Sequence, residues 1–403
     1  MPSRLPDGDP VPPSGALPAE ATEALGARPF GFYVHVPFCV TRCGYCDFNT
    51  YTASELGPGA SHRDYASTVA REVRLARRVL GDADLPVDTV FFGGGTPTLL
   101  PAADLAAILK VIDTEFGLAP GAEVTTEANP ESVDEAYLAA LAEGGFTRMS
   151  FGMQSARSHV LALLDRQHTP GRAVAAVAEA RRAGFRHVNL DLIYGTPGES
   201  DDDWRSSLET AVEAGPDHVS AYSLIVEEGT RLASRIRRGE LPMPDDDVAA
   251  DRYLMAEELL EKAGFSWYEI SNWATGEQAR CRHNLLYWHG GDWWGAGPGA
   301  HSHVGGTRWW NVKHPAAYAA RLAEGASPAH AREVLSADDR AIERLMLELR
   351  LSSGFPLAEV ARPAEADRAL AEGLLEPVPY GEGLAVLTLR GRLLADAVIR
   401  DLT

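Results

Sequence analysis

The sequence predicts an α/β fold, a partial TIM-like (β/α)6 barrel followed by a smaller C-terminal helical, winged-helix-like domain. Three observations point to it. From Phe30 to about Ile225, short β-branched or aromatic runs alternate with amphipathic helical stretches, the pattern of a parallel sheet with crossover helices. The polar motifs fall at the ends of the strands, the edge where α/β folds bind ligands. From about Pro315 the chain changes character, to helices, a hairpin-like GLLEPVPYGEGLAVLTLRG and a final helix.

Taken in order, the strands are FGFYVHV, VDTVFFG, AEVTTEA, FTRMSFG, HVNLDLIYG and HVSAYSL. Between them lie the helical stretches RDYASTVAREVRLARRVL, PAADLAAILKVIDTEF, SVDEAYLAALAEGG and PGRAVAAVAEARRAG, the last two ending in Gly as helices often do. Six such units are too few to close an eight-stranded barrel, hence a partial one. Four regions are expected: 1–29 a disordered tail, 30–245 the partial barrel, 246–314 a connecting region dense in Trp and Gly, and 315–403 a C-terminal domain.

Composition narrows the class. A chain of 403 residues, 45% hydrophobic, can bury a large core. The Pro-, Ala- and Gly-rich first 29 residues have neither a basic start nor an apolar run, unlike a secretory signal. No segment approaches the roughly 20 apolar residues that span a bilayer, so a cytoplasmic location is expected. A net charge of −20 opposes phosphate-backbone binding, so no nucleic-acid partner is expected, and the winged-helix-like end reads as a packing domain.

The chemistry begins in HVPFCVTRCGYCDF, which holds three of the four cysteines, Cys39, Cys43 and Cys46. An odd thiol cluster in a reducing compartment is poor material for disulfides and better material for metal. Three thiolates can hold three corners of a cubane iron–sulfur cluster and leave one iron open, the mark of a reactive site. A zinc site or unligated core cysteines are the plainer readings; structural zinc usually wants four ligands, and His35 is the nearby candidate for a fourth. The glycines of FFGGGTP allow close approach of backbone to a ligand. Asp191, among apolar residues in VNLDLIYG, needs a partner if buried, either a ligand hydroxyl or a structural network. Glu127 in TTEANP and Gln154 in SFGMQS carry the same two readings, and their shared strand edge favours a site.

The cysteine triplet after FYVHVP, with Tyr45 before its last member, resembles the signature of the radical S-adenosylmethionine superfamily. The resemblance implies a [4Fe-4S] cluster whose open iron chelates S-adenosylmethionine and whose electron generates a 5′-deoxyadenosyl radical. Across nearly the whole chain from Phe30, YVHVPFC, CDF, GGGTPT, EANPES, SFGMQS, LDRQHT, DLIYGTPGES and HNLLYW are similar to the oxygen-independent coproporphyrinogen III oxidase family and, within it, the HemW branch of heme chaperones. By motif position this implies S-adenosylmethionine contacts from Tyr33, Tyr45, Gly94, Gly95, Thr96, Glu127, Gln154, Arg166 and Asp191.

Two features separate the branches. The oxidases carry a fourth cysteine two residues after the third, and Phe48 stands there, which puts decarboxylation in doubt. HNLLYW matches the HNxxYW motif associated with heme binding. It implies a heme site at His283, Asn284, Tyr287 and Trp288, with His283 as an axial ligand and the two aromatics as flat apolar surface. His289, His301, His303 and Cys281 are rival ligands, and a His in an aromatic loop is more often structural. The expected function is that of a heme chaperone with heme, an acceptor hemoprotein and an electron donor as partners; the radical machinery is present, but oxidase activity is the alternative.

Overall fold

Six parallel strands and the segments that follow them carry every residue that the sequence assigns to the thiol site or places beside it. The computed structural model describes residues 7–23, 25–56, 61–166 and 169–403. The strands are β1 (Phe30–Val36), β2 (Val87–Gly94), β3 (Leu118–Ala128), β4 (Arg148–Gln154), β5 (His187–Tyr194) and β6 (His218–Ser223), and each pairs in parallel with the next. The expected runs therefore form the expected strands, within a few residues at each end. Period-two alternation sorts their side chains. In β1, Phe32, Val34 and Val36 are fully buried in the core shared with the crossover helices, while Gly31, Tyr33 and His35 point to the other face.

The crossover helices form where local signals start and stop them. His62–Leu80 begins at an N-cap, Ser61, whose hydroxyl accepts from the Arg63 amide. Asp201–Glu213 begins with a capping box between Ser200 and Asp203. Their apolar stripes, such as Leu105, Ile108 and Ile112 of Ala102–Phe116, enter the same core.

The sheet extends beyond the six strands, and here the expected boundaries need correction. Beyond β6 run the antiparallel strands β7 (Ser266–Glu269) and β8 (Asn272–Ala274), with β8 next to β6. On the opposite side, β9 (Asp292–Ala296) pairs in parallel with β1, and β10 (His301–Val304), β11 (Thr307–Asn311) and β12 (Ala329–Val334) continue antiparallel. The Trp-dense region is thus part of the main sheet and not a connector. Strand β1 would otherwise present an unpaired edge, and Trp294 and Ala296 of β9 are buried beside it.

The chain from 315 to 334 also belongs to this sheet. The separate C-terminal core gathers Leu345, Leu349, Phe355, Leu375, Leu387 and Ile399, among others. Its hairpin-like segment forms a bridge between Leu375 and Leu387, and β13 (Phe355–Pro356) pairs with β14 (Leu384–Ala385). The expected tail is likewise not loose over residues 7–23; positions 1–6 and 24 lie outside the described residues. The Asp9 and Arg332 backbones exchange hydrogen bonds of 2.8 and 2.9 Å, and the Ser327 amide donates to the Pro13 carbonyl at 2.7 Å. This segment covers the outer strand β12, whose amides would otherwise face water unpaired.

A plug closes the amino-terminal end of the barrel. Arg148 and Glu123 form a buried ion pair of 3.0 Å. Arg148 Nη2 also donates to the carbonyls of Ala279 and Arg280 at 2.7 and 2.9 Å, and Glu123 accepts from the His283 amide at 3.0 Å. The helix Arg282–Trp288 is thereby held across the strand ends, with Leu286 so close to Gly31 that a Cβ there would lie 2.6 Å from it. Removing one member of a buried pair leaves an uncompensated charge, so Arg148→Met is expected to cost about 3–5 kcal/mol in a denaturant titration. The double variant Arg148→Met/Glu123→Gln should recover part of that loss.

Candidate functional site

The cysteine loop leaves β1 at Pro37 and is closed on itself by backbone bonds. Tyr51 N donates to Pro37 O at 2.7 Å and Cys39 N to Tyr51 O at 3.0 Å, so the intervening residues form a compact excursion at the carboxyl edge of the sheet. Cys39, Cys43 and Cys46 are free thiols, half-buried, whereas Cys281 is buried in the plug at the other end. Burial, reinforced by the neighbouring thiols, pushes Cys39 up to about 11 and Cys46 up to about 12. Such thiols ionise only when a metal or other cation compensates them. Arg166 supplies one positive charge, its Nη1 lying 3.5 Å from Cys43 Sγ.

His35 is removed as a fourth ligand. Its Nδ1 lies 2.9 Å from the Tyr33 hydroxyl and its Nε2 2.9 Å from the Asn49 carbonyl, and burial holds its pKa down at about 4. Among the described residues no group of three or more His, Cys, Asp or Glu side chains converges as a single metal ion would require. A cubane makes no such demand, because each thiolate meets a different iron.

The glycine loop after β2 is locked to the cysteine loop. Gly95 N donates to Val36 O at 2.8 Å and Thr96 N to Phe38 O at 2.7 Å. Gly94 N donates to Glu127 Oε2 at 3.0 Å. These three amides, the obvious donors to a ligand, are therefore already engaged, and what the loop offers is its close approach and its carbonyls. Gly94 has φ +106°, and a Cβ on Gly95 would lie 2.5 Å from Phe38 O, so neither position admits a side chain without a shift.

Glu127 and Asp191 differ in how they are satisfied. Among the described residues the Gly94 amide is the one hydrogen-bond donor to the Glu127 carboxylate, and burial, with Asp191 nearby, pushes its pKa up to about 7. That is a carboxyl group short of a cation. Asp191 accepts from Ser150 Oγ at 2.7 Å and Asn189 Nδ2 at 2.8 Å, and burial still raises its pKa.

At the end of β4, Gln154 sits at φ +65°, a left-handed conformation costly for a residue with a side chain. Gly152, two residues earlier, leaves room for Arg166: its carbonyl accepts from Arg166 Nη2 at 2.8 Å, and a Cβ on it would lie 2.7 Å from that nitrogen. The Arg166 Nε is buried without a hydrogen-bond partner among the described residues. Tyr45 lies beside Cys43 and packs against the apolar group of Val160, Leu164, Ile193, Leu224 and Leu232.

The HNLLYW residues are elsewhere. His283, Asn284, Tyr287 and Trp288 lie on the plug helix at the amino-terminal end of the strands, opposite the cysteine loop. His283 is 2% exposed, with Nδ1 2.8 Å from Thr89 Oγ1 and Nε2 2.8 Å from the Tyr287 hydroxyl. Both ring nitrogens thus meet side-chain hydroxyls of the protein. Asn284 donates to Glu269 at 3.0 Å, and Tyr287 meets Trp293 edge-on, with centroids 4.5 Å apart at 65°. Sequence reasoning missed Thr89, Glu123 and Arg148, because the residues of the plug that they hold lie at least 130 positions away.

The radical S-adenosylmethionine superfamily model matches residues 33–211. A heme chaperone HemW of Mycobacterium tuberculosis is 56% identical over 94% of this chain and 96% of its own length, and HemW of Escherichia coli is 34% identical over 92% and 97%. The chain belongs to the HemW family. Among solved structures, the coproporphyrinogen III oxidase HemN of Escherichia coli, described as a radical SAM enzyme, has a TM-score of 0.79 and 23% identity over 95% of this chain and 92% of its own; that likeness shows the fold.

Superfamily membership implies a [4Fe-4S] cluster and S-adenosylmethionine, and the residues of this HemW-family site fit both. Three thiols beside a guanidinium suit an anionic cluster, the glycine loop is hydrogen-bonded to the loop that carries them, and Glu127 offers a carboxylate to a cation. When bound, the cluster supplies a low-potential electron at the open iron. Converting Cys39, Cys43 or Cys46 to Ala is expected to remove most iron and sulfide from anaerobically purified protein, and converting Cys281 to leave them in place.

The raised Glu127 pKa sets a pH window. Below about 7 the carboxyl is protonated in the fold, so affinity for the cationic S-adenosylmethionine should increase as pH rises through neutrality. Without ligand the sign reverses: the folded pKa exceeds the unfolded one, so this group lowers stability as pH rises from the ordinary carboxyl value to about 7. Calorimetric titration should show the binding trend in the native protein and a flattened profile in Glu127→Gln.

Proposed function

We propose that this chain is a heme chaperone, binding heme and delivering it to an acceptor hemoprotein. In this reading it carries a [4Fe-4S] cluster on Cys39, Cys43 and Cys46 with S-adenosylmethionine at the open iron. Tyr33, Tyr45, the Gly94–Thr96 loop, Glu127, Gln154, Arg166 and Asp191 surround that ligand. The observation that carries the reading is end-to-end similarity to proteins named heme chaperones, at 56% identity over 94% of the chain. Phe48 adds to it: an exposed, redox-inert side chain stands where the oxidases place a fourth sulfur. An external electron donor would reduce the cluster, and the work is assigned to the cytoplasm.

The test is heme transfer. Anaerobically reconstituted protein loaded with hemin should pass it to an apo-hemoprotein, followed by the acceptor's Soret band, faster than free hemin of equal total concentration reaches it under competition from albumin. Conversion of coproporphyrinogen III to protoporphyrinogen IX by the same preparation, with S-adenosylmethionine and a reductant, would overturn the reading in favour of the oxidase.

A further inference from the structure

The HNLLYW helix, which carries the iron ligand in the heme-chaperone reading, is held by one row of the sheet. Gly31, Thr89 and Glu123 stand side by side on β1, β2 and β3 in the parallel register, and each meets a different part of the helix. Gly31 makes room: a Cβ there would lie 2.6 Å from Leu286 and 2.8 Å from Thr89 Oγ1. Glu123 accepts from the His283 amide at 3.0 Å. Thr89 takes the ring, with its hydroxyl 2.8 Å from His283 Nδ1.

The ring is fixed in a second direction by Phe91. That residue, two positions on from Thr89 and on the same face of β2, stacks on the imidazole with centroids 5.2 Å apart at 23°. Stacking sets the plane of the imidazole, and the Thr89 hydroxyl sets its rotation within that plane. Thr89 is itself buried in a strand paired on both sides, so it does not follow a ring that turns.

The two ring nitrogens therefore have unlike surroundings. Nδ1 is backed by the sheet. Nε2 meets the Tyr287 hydroxyl at 2.8 Å, one turn later on the same short helix. Tyr287 is only half-buried, with Trp293 edge-on to it, so the group in front of Nε2 moves with one side chain, whereas the group in front of Nδ1 moves only with the sheet.

We propose that Thr89 is a positioning residue of the heme site: its hydroxyl accepts from His283 Nδ1–H and presents Nε2 to the heme iron, which takes the place of the Tyr287 hydroxyl. The proposal rests on the heme-chaperone reading and adds to its site a residue outside the HNLLYW motif. A neutral imidazole carries one N–H, so holding the proton at Nδ1 leaves the lone pair at Nε2. A hydrogen bond to the far nitrogen of a ligating His orients the ring and raises its basicity, which favours ferric over ferrous iron. Thr89 acts on the iron only through His283.

The experiment is a hemin titration of the full chain at the Soret band, joined to the midpoint potential of the bound heme, for the native protein, Thr89→Val, Thr89→Ser and His283→Ala. Val keeps the branched shape and loses the hydroxyl. Losing such an outer partner costs roughly 10–100-fold in metal affinity, so Thr89→Val should bind hemin at least about tenfold more weakly and at a higher midpoint potential. Ser keeps the hydroxyl and loses a methyl, so Thr89→Ser should stay near the native affinity and potential while its melting temperature falls, a separation that a packing role would not give. Native affinity and potential in folded Thr89→Val, equal losses in the Val and Ser variants, or a native heme spectrum in His283→Ala would overturn the proposal while leaving the chaperone reading intact. No heme binding by the native protein would take down both.

Discussion

Two backbone hydrogen bonds, from Gly95 to Val36 and from Thr96 to Phe38, hold the rest of the site together. They join the loop after β2 to the loop after β1, so the glycines and the thiols move as one piece. The bonds are possible because β1 and β2 are parallel neighbours that end side by side, His35 opposite Gly93 and Val36 opposite Gly94. They also require that no Cβ intervene. The GGG sequence is thus less a donor cradle than a junction between two loops.

Around that junction the charges form a complementary set. Arg166 reaches from beyond β4 to Cys43, using the space vacated by Gly152, and the carboxyl of Glu127 faces the same edge with one protein donor. A cluster with net negative charge and a cationic small molecule would satisfy both groups. Without them the site carries raised thiol and carboxyl pKa values, the usual cost of holding functional groups in a half-buried place.

The HNLLYW helix shows what a local motif leaves unsaid. Its residues stood out by their match to the HNxxYW motif. In the fold, His283 bridges Thr89 and Tyr287, its amide donates to Glu123, and Leu286 seals against Gly31. A local pattern cannot say whether an imidazole nitrogen is free, since its partner comes from a strand nearly 200 positions earlier.

The sequence by itself determined the six strands, most of their helices, the cysteine loop and the family, because period-two alternation, caps and closely spaced thiols are local in the chain. Phe48 could be read the same way, as one residue in a short motif. Only the tertiary structure decided that β9 lies beside β1, that the first residues cover β12, and that Asp191 accepts from Ser150 and Asn189. Each of those depends on which distant segments share an edge or a hydrogen bond, and such pairings follow from packing the whole chain at once.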